Sequence, residues 1–201
     1  ANDETGLSLF VIDANAKGVK IDDYAAHDGY RIADISFSNV AVSADNLLGE
    51  LDQAFPHIEK AIDLGIAAVC AEAVGAMEAM NETTLDYIKT RKQFGLPIGK
   101  FQVLQHRMVD MFMAHELTQS SMYMAGLRNL EGGEVAKKAA SAFKVQVGKA
   151  GRFIGQQAVQ LHGGMGMTDE LNVGFYFKRL TAMDALLGNT DFHLNRYSRV
   201  A

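Results

Sequence analysis

Apolar positions alternate before about residue 50 and recur every three or four residues after it. Leu7-Ser8-Leu9-Phe10-Val11-Ile12 reads as a short apolar strand. Ala33, Ile35 and Phe37 alternate with Asp34, Ser36 and Ser38, the period of a half-buried strand. Asp28-Gly29 and Asn39 are turn residues between such runs. Two or three strands cannot close a sheet that is buried on both faces. Residues 1–50 are therefore expected to be a fragment of a larger β domain, with Ala1 to Thr5 as an abrupt start.

From Leu51 the pattern is helical. Phe55, Ile58, Ile62, Leu64, Ile66, Val69, Val74 and Met77 fall on one broad stripe that continues to Leu85 and Ile88. Arg91 and Lys92 suit the negative end of this helix, and Gly95 and Pro97 stop it. A second helix is predicted from Lys100 to Leu130, carrying Val103, Leu104, Met108, Met111, Phe112 and Leu117, up to the break at Gly132-Gly133. A third runs from Glu134 to Leu161 and ends at Gly163-Gly164. Shorter pieces follow around Leu171–Leu180 and Ala182–Ser198. Three helices of roughly 40–55 Å need long partners to bury their stripes. The expected fold is mainly α: an up-down antiparallel four-helix bundle of long helices (51–201), preceded by a partial antiparallel β segment (1–50). The Ala, Gly and Ser residues of Ala136–Gly155 permit close helix approach, within the chain or to another subunit.

Composition narrows the function classes. Lys+Arg is 19 against 24 Asp+Glu, a net charge of -5, which offers no basic footprint for nucleic acid. The one cysteine, Cys70, excludes an internal disulfide framework and a cysteine zinc site, and fits a reducing, cytoplasmic setting. The longest apolar run, Leu64 to Ala71, is too short for a membrane span. No His/Asp/Glu cluster has metal-ligand spacing. The ten methionines read as core filling.

Three stretches carry candidate chemistry. In Thr90-Arg91-Lys92-Gln93-Phe94-Gly95-Leu96-Pro97-Ile98, followed by Phe101-Gln102, Arg91 offers a planar fork for a phosphate and Phe94 a flat face for a ring. The plain alternative is a helix stop. In Gln160-Leu161-His162-Gly163-Gly164-Met165-Gly166, three glycines in four residues bare the backbone to a ligand, and Gln160 adds an amide. His162 reads as a satisfied structural histidine. In Lys178-Arg179 through Gly188-Asn189-Thr190, a helical pattern is interrupted, with Thr190 as the expected cap of the last helix.

Together, Arg-x-x-Phe-Gly-x-Pro-Ile-x-x-Phe-Gln, then Gln-Leu-His-Gly-Gly-x-Gly-x-Thr, then a basic pair and a Gly/Thr break resemble the C-terminal half of an acyl-CoA dehydrogenase. The resemblance covers nearly the whole chain, with Asp28-Gly29-Tyr30-Arg31 and Asn46-Leu47-Leu48-Gly49-Glu50 similar to the end of that family's middle β domain. It implies FAD as cofactor, lying across a subunit boundary. Arg91, Gln93, Phe94, Phe101, Gln102, Gln160, Gly163 and Gly164 would contact a neighbour's FAD, and Thr190 its own subunit's. It also implies α,β-dehydrogenation of an acyl-CoA thioester, in which a carboxylate takes the α proton and hydride passes to flavin N5. Self-association through the bundle into a dimer or tetramer is implied too.

The chain departs from the pattern at the base. The usual Glu aligns with Gly188. The alternative position on the first long helix aligns with Gly65, beside Ile66 where an Arg can help hold CoA. Asp184 and Glu72 are the nearest carboxylates; Asp184 also reads as the partner of a basic residue, and Glu72 as the cap of a polar gap between helices. If backbone geometry is retained, Gly188→Glu is expected to raise activity. Three readings follow. The chain is part of an active dehydrogenase, or the non-catalytic partner of a sister subunit, similar to small subunits of heteromeric (pimeloyl-CoA-type) dehydrogenases, or a structural helical module.

Overall fold

The computed structural model describes residues 6–199, so Ala1 to Thr5 lie outside the described residues. The chain divides into two compact units, one ending at Ile62 and the other beginning at Asp63.

In the first unit, β1 (Leu9–Phe10) pairs antiparallel with β4 (Leu47–Leu48), and β2 (Val19–Ala25) with β3 (Arg31–Phe37). Gly29, at φ +86°, lets the chain reverse between β2 and β3. The register sets Val19 opposite Phe37 and Ile21 opposite Ile35. Period-two alternation puts these four side chains on one face. That face is not half-buried, as the alternation predicts: Ile21 is 45% exposed, Ile35 53% and Phe37 60%. A two-stranded ribbon has no second layer of its own, and the pattern reports the face without supplying its cover.

The second unit is helical. Its long helices are α1 (Phe55–Thr90), whose first turns lie before the unit boundary, α2 (Gln102–Glu131) and α3 (Gly133–His162). α4 (Val173–Ala185) and α5 (Thr190–Arg199) follow. The expected up-down bundle is the one found. α1 starts four residues later than the apolar pattern predicts, because Leu51 to Gln53 are turn and bridge residues. α4 extends to Ala185, five residues past the expected Leu180 boundary, and the interruption expected around Gly188-Asn189-Thr190 falls at Leu186–Asn189.

α3 is central, with α2, α4 and α5 packed against it. It can serve so many neighbours because its faces are bare. A Cβ on Gly155 would stand 2.7 Å from the Phe177 ring of α4, and one on Gly151 would touch Met77 and Leu180 at 3.5–3.7 Å. The small residues of α3 thus work inside the chain. Ile66, Cys70, Met77 and Met80 of α1, Met111 of α2, Phe143 and Ile154 of α3, and Met183 of α4 fill the core. Burial raises the Cys70 thiol to about 12.

The buried stripes are narrower than the apolar pattern predicts. Leu64 and Leu85 of α1, and Val103, Phe112 and Leu117 of α2, are exposed. Met113 and Met124 are exposed too, whereas Met77, Met80, Met111 and Met183 are core.

Gly155→Val is expected to destabilise the bundle by roughly 1–3 kcal/mol, the usual cost of overpacking. Urea unfolding followed by circular dichroism measures it.

Candidate functional site

The two motif stretches meet at one end of the bundle. α1 and α3 run the same way, so their C-terminal ends are neighbours. Tyr87, one turn before Arg91, donates its hydroxyl to the His162 carbonyl at 3.3 Å, and the two rings lie 4.2 Å apart. His162 is buried, with Nδ1 2.8 Å from the Ala158 carbonyl, and burial lowers its pKa below the usual imidazole value. It is a packing residue, as read from the sequence.

Past α1, a tight hairpin of β5 (Lys92–Gln93) and β6 (Leu96–Pro97) turns through Phe94 and Gly95, at φ +55° and +81°. Two consecutive left-handed residues match the twist of a two-residue hairpin. Glycine adopts that conformation freely; phenylalanine does so with strain of about 1–3 kcal/mol. The Phe94 ring is 86% exposed and meets the edge of Phe101, at 6.1 Å between centroids. Gln93 and Gln102 are exposed, and the Arg91 guanidinium has no partner among the described residues.

Gly163 and Gly164, just beyond α3, border an open groove of about 490 Å³, together with Gln156, Gln160, Met167 and Phe177. A Cβ on either glycine would meet nothing within 4 Å. The groove is thus walled by bare backbone, two amides and a ring. Arg91, Gln93 and Phe94 do not line it; they stand on the neighbouring hairpin.

The third stretch lies at the break between α4 and α5. Lys144 of α3, 1% exposed, donates to the carbonyls of Met183 and Asp184 at 2.6 and 3.0 Å. It closes the C-terminal end of α4, where a cation is favoured. Desolvation lowers its pKa, opposed by the nearby Asp184 carboxylate. The Asp184 carboxylate accepts from the Thr190 hydroxyl at 2.7 Å and lies 3.8 Å from the Arg152 guanidinium. A small recess of about 170 Å³ holds Asp184, Thr190, Lys149 and Arg152. Thr190 is not the cap of α5, as the sequence suggests. Asn189 is: its side-chain oxygen accepts from the Phe192 amide at 2.9 Å. Glu72 is bound by Arg179, at 2.8 and 3.0 Å through two guanidinium nitrogens.

A buried polar network under the break was missed by sequence reasoning. Asp63 of α1 meets Arg196 of α5 at 2.6 Å. Arg196 and His193 both approach the Ser141 hydroxyl of α3, and His193 Nε2 lies 2.9 Å from the Leu187 carbonyl. His193 is fully buried, and desolvation lowers its pKa.

Leu187 and Gly188 are both left-handed, at φ +56° and +99°. A Cβ on Gly188 would lie 2.5 Å from the Phe192 ring and 2.9 Å from His193 Nε2. A glutamate at residue 188 would have to displace the Phe192 ring and His193 from a left-handed backbone, so Gly188→Glu meets its condition of retained geometry only if these side chains move. A Cβ on Gly65 would lie 3.0 Å from Leu187 Cδ1. Leu187, the residue before Gly188, thus packs against Gly65. No group of three His, Cys, Asp or Glu side chains among the described residues is placed to hold a metal, and no described helix is long and apolar enough to cross a membrane.

Residues 54–201 match the family described as Acyl-CoA dehydrogenase, C-terminal domain. The chain is 32% identical over 171 residues to the 3-(aryl)acrylate reductase of Clostridium sporogenes, covering 84% of this chain and 45% of that protein. It is 31% identical over 177 residues to the short-chain specific acyl-CoA dehydrogenase of Megasphaera elsdenii, covering 86% and 46%. The solved structure described as PigA with FAD and proline superposes with a TM-score of 0.90 at 23% identity, over 98% of this chain and 52% of that one. The chain thus spans about half the length of the proteins it matches.

The lowered pKa values of His162 and His193 give stability a sign with pH. Their contribution is complete above the unfolded imidazole value of about 6.5 and is lost as pH falls through the lower folded values. Melting temperature is expected to drop between pH 7 and 5, with a shallower slope in His193→Gln. Gly188→Ala is expected to cost on the order of 1–2 kcal/mol at neutral pH, measured by the same melts.

Proposed function

Because the chain belongs to the acyl-CoA dehydrogenase family, through that family's C-terminal domain, we propose that it is the helical half of an FAD-dependent subunit that completes a flavin site and leaves the α-proton base to a sister subunit. The observation that carries this reading is the pair of glycines, Gly65 and Gly188. These stand at the two positions where the resemblance calls for a carboxylate; Leu187, the residue before Gly188, packs its Cδ1 against Gly65, and Phe192 and His193 crowd Gly188. A general base needs an accessible carboxylate within reach of the proton it removes. Asp184 is engaged by Thr190 and Arg152, and Glu72 by Arg179.

The residues present fit the cofactor's chemistry. The Gly163-Gly164 backbone can be approached directly, since neither glycine has a neighbour where a Cβ would stand. Gln160 borders the same groove. The unpartnered Arg91 suits a diphosphate, and the strained, exposed Phe94 suits a planar ring, with Gln93, Phe101 and Gln102 beside it. Thr190, fixed by Asp184, would face the flavin of its own subunit. FAD, when bound, supplies the two-electron oxidation of an acyl-CoA thioester; the chain's own residues bind and orient. The reading of the chain as a structural module leaves the strain at Phe94 without a purpose. The remaining reading, an active dehydrogenase with its own base, rests on Asp184.

In the full-length protein, Arg91→Gln is expected to weaken FAD retention about 10- to 100-fold, the worth of a charge-assisted hydrogen bond. Flavin absorbance after dialysis measures it. Asp184→Asn is expected to leave acyl-CoA turnover by the assembled enzyme within a few-fold of the parent. A loss of about 100-fold or more, the usual cost of removing a general base, makes Asp184 the base instead.

A further inference from the structure

The carbonyls at the α4–α5 break are held by two buried side chains. Lys144 takes those of Met183 and Asp184, and His193 takes that of Leu187. The atoms around His193 fix its proton. A carbonyl only accepts, so Nε2, 2.9 Å from the Leu187 oxygen, carries the hydrogen. Nδ1 is then a bare acceptor, 3.4 Å from the Ser141 hydroxyl. Ser141 donates to it and accepts from Arg196 at 3.5 Å, and Asp63 holds Arg196 at 2.6 Å. The donors therefore point one way, from the guanidinium through the hydroxyl and the imidazole to the backbone of the turn. Ser141 and His193 are fully buried, so water does not repair a broken link.

The turn needs that hold. Leu187 is a non-glycine residue at φ +56°, followed by Gly188 at +99°. Just beyond it, Thr190 and Asp184 sit in the space that a side chain at Gly148 would fill, so the placement of Thr190 follows that of the turn. We propose that His193 is a positioning residue of the flavin half-site: as the neutral Nε2–H imidazole it holds the turn that presents Thr190, and a second ring proton releases it. This rests on the reading of the chain as an FAD half-site, in which Thr190 faces the flavin. A proton on Nδ1 would meet the hydrogen of the Ser141 hydroxyl, whose oxygen already accepts from Arg196. It would also add charge beside Lys144 of α3 and Arg196 of α5. The carboxylates around it are engaged: Asp63 of α1 with Arg196, and Asp184 of α4 with Thr190 and Arg152. Burial opposes the charged ring as well. The hold is complete at neutral pH and is lost as pH falls through a value below the usual imidazole figure of about 6.5.

The test is FAD retention by the full-length assembled protein between about pH 7.5 and 5, read as flavin absorbance after dialysis, with the Leu187 methyl resonances followed in parallel. The parent is expected to lose affinity about tenfold, the worth of one hydrogen bond, with the Leu187 methyls shifting at the same midpoint. His193→Gln keeps an amide donor for the Leu187 carbonyl and has no proton to gain. Its retention is expected to match the parent at the upper pH and to stay flat. Ser141→Ala removes the donor to Nδ1, so its loss is expected at higher pH than the parent's. His162, beside the groove, is intact in both variants. An undiminished pH dependence in His193→Gln, or equal weakening at every pH in both variants, overturns the proposal. FAD held equally at every pH by the parent overturns this proposal alone. FAD absent at every pH overturns the half-site reading and this proposal with it.

Discussion

The bare faces of α3 set what the other helices can do. Side chains are missing there at Gly148, Gly151 and Gly155, and each gap admits a particular neighbour. Gly155 takes the Phe177 ring, which then forms one wall of the groove beside Gly163. Gly148 leaves space for Asp184 and Thr190, which meet across the break between α4 and α5. Core packing at native density tolerates little extra volume. The same omissions therefore fix the helix spacing and the placement of both candidate regions.

Polar burial does the complementary work at the other end of α4. Lys144 replaces water at the last carbonyls of that helix, and the Asp63–Arg196–Ser141–His193 network supports the turn at Leu187. Charged groups in such positions are retained when their hydrogen bonds are made. The consequence is a turn held left-handed at Leu187 and Gly188, in which a side chain at residue 188 would crowd Phe192 and His193.

Much of the fold was legible in the chain. Helix periodicity and the Gly95, Gly132 and Gly163 stops located α1, α2 and α3 to within a few residues. Burial of individual stripes was less legible, as Leu64, Phe112 and Leu117 show: periodicity identifies a face but says nothing of what covers it. The motif residues at Arg91 and Gly163 were visible as sequence, whereas their meeting depends on Tyr87 and His162, which are 75 positions apart. Lys144 and His193 gave no local signal, because a buried lysine or histidine is recognised only by partners distant along the chain. The cap was misassigned to Thr190 because neighbouring Asn and Thr are both good caps, and the backbone chooses between them.

Cys70 sits fully buried against this core, and its thiol is pushed to about 12. Alkylating reagents attack the thiolate, so in the closed bundle this sulfur is both shielded and almost wholly protonated. Labelling must await an opening of α1 from its neighbours. As the one thiol in these 201 residues, it makes the chain its own stopwatch for that opening.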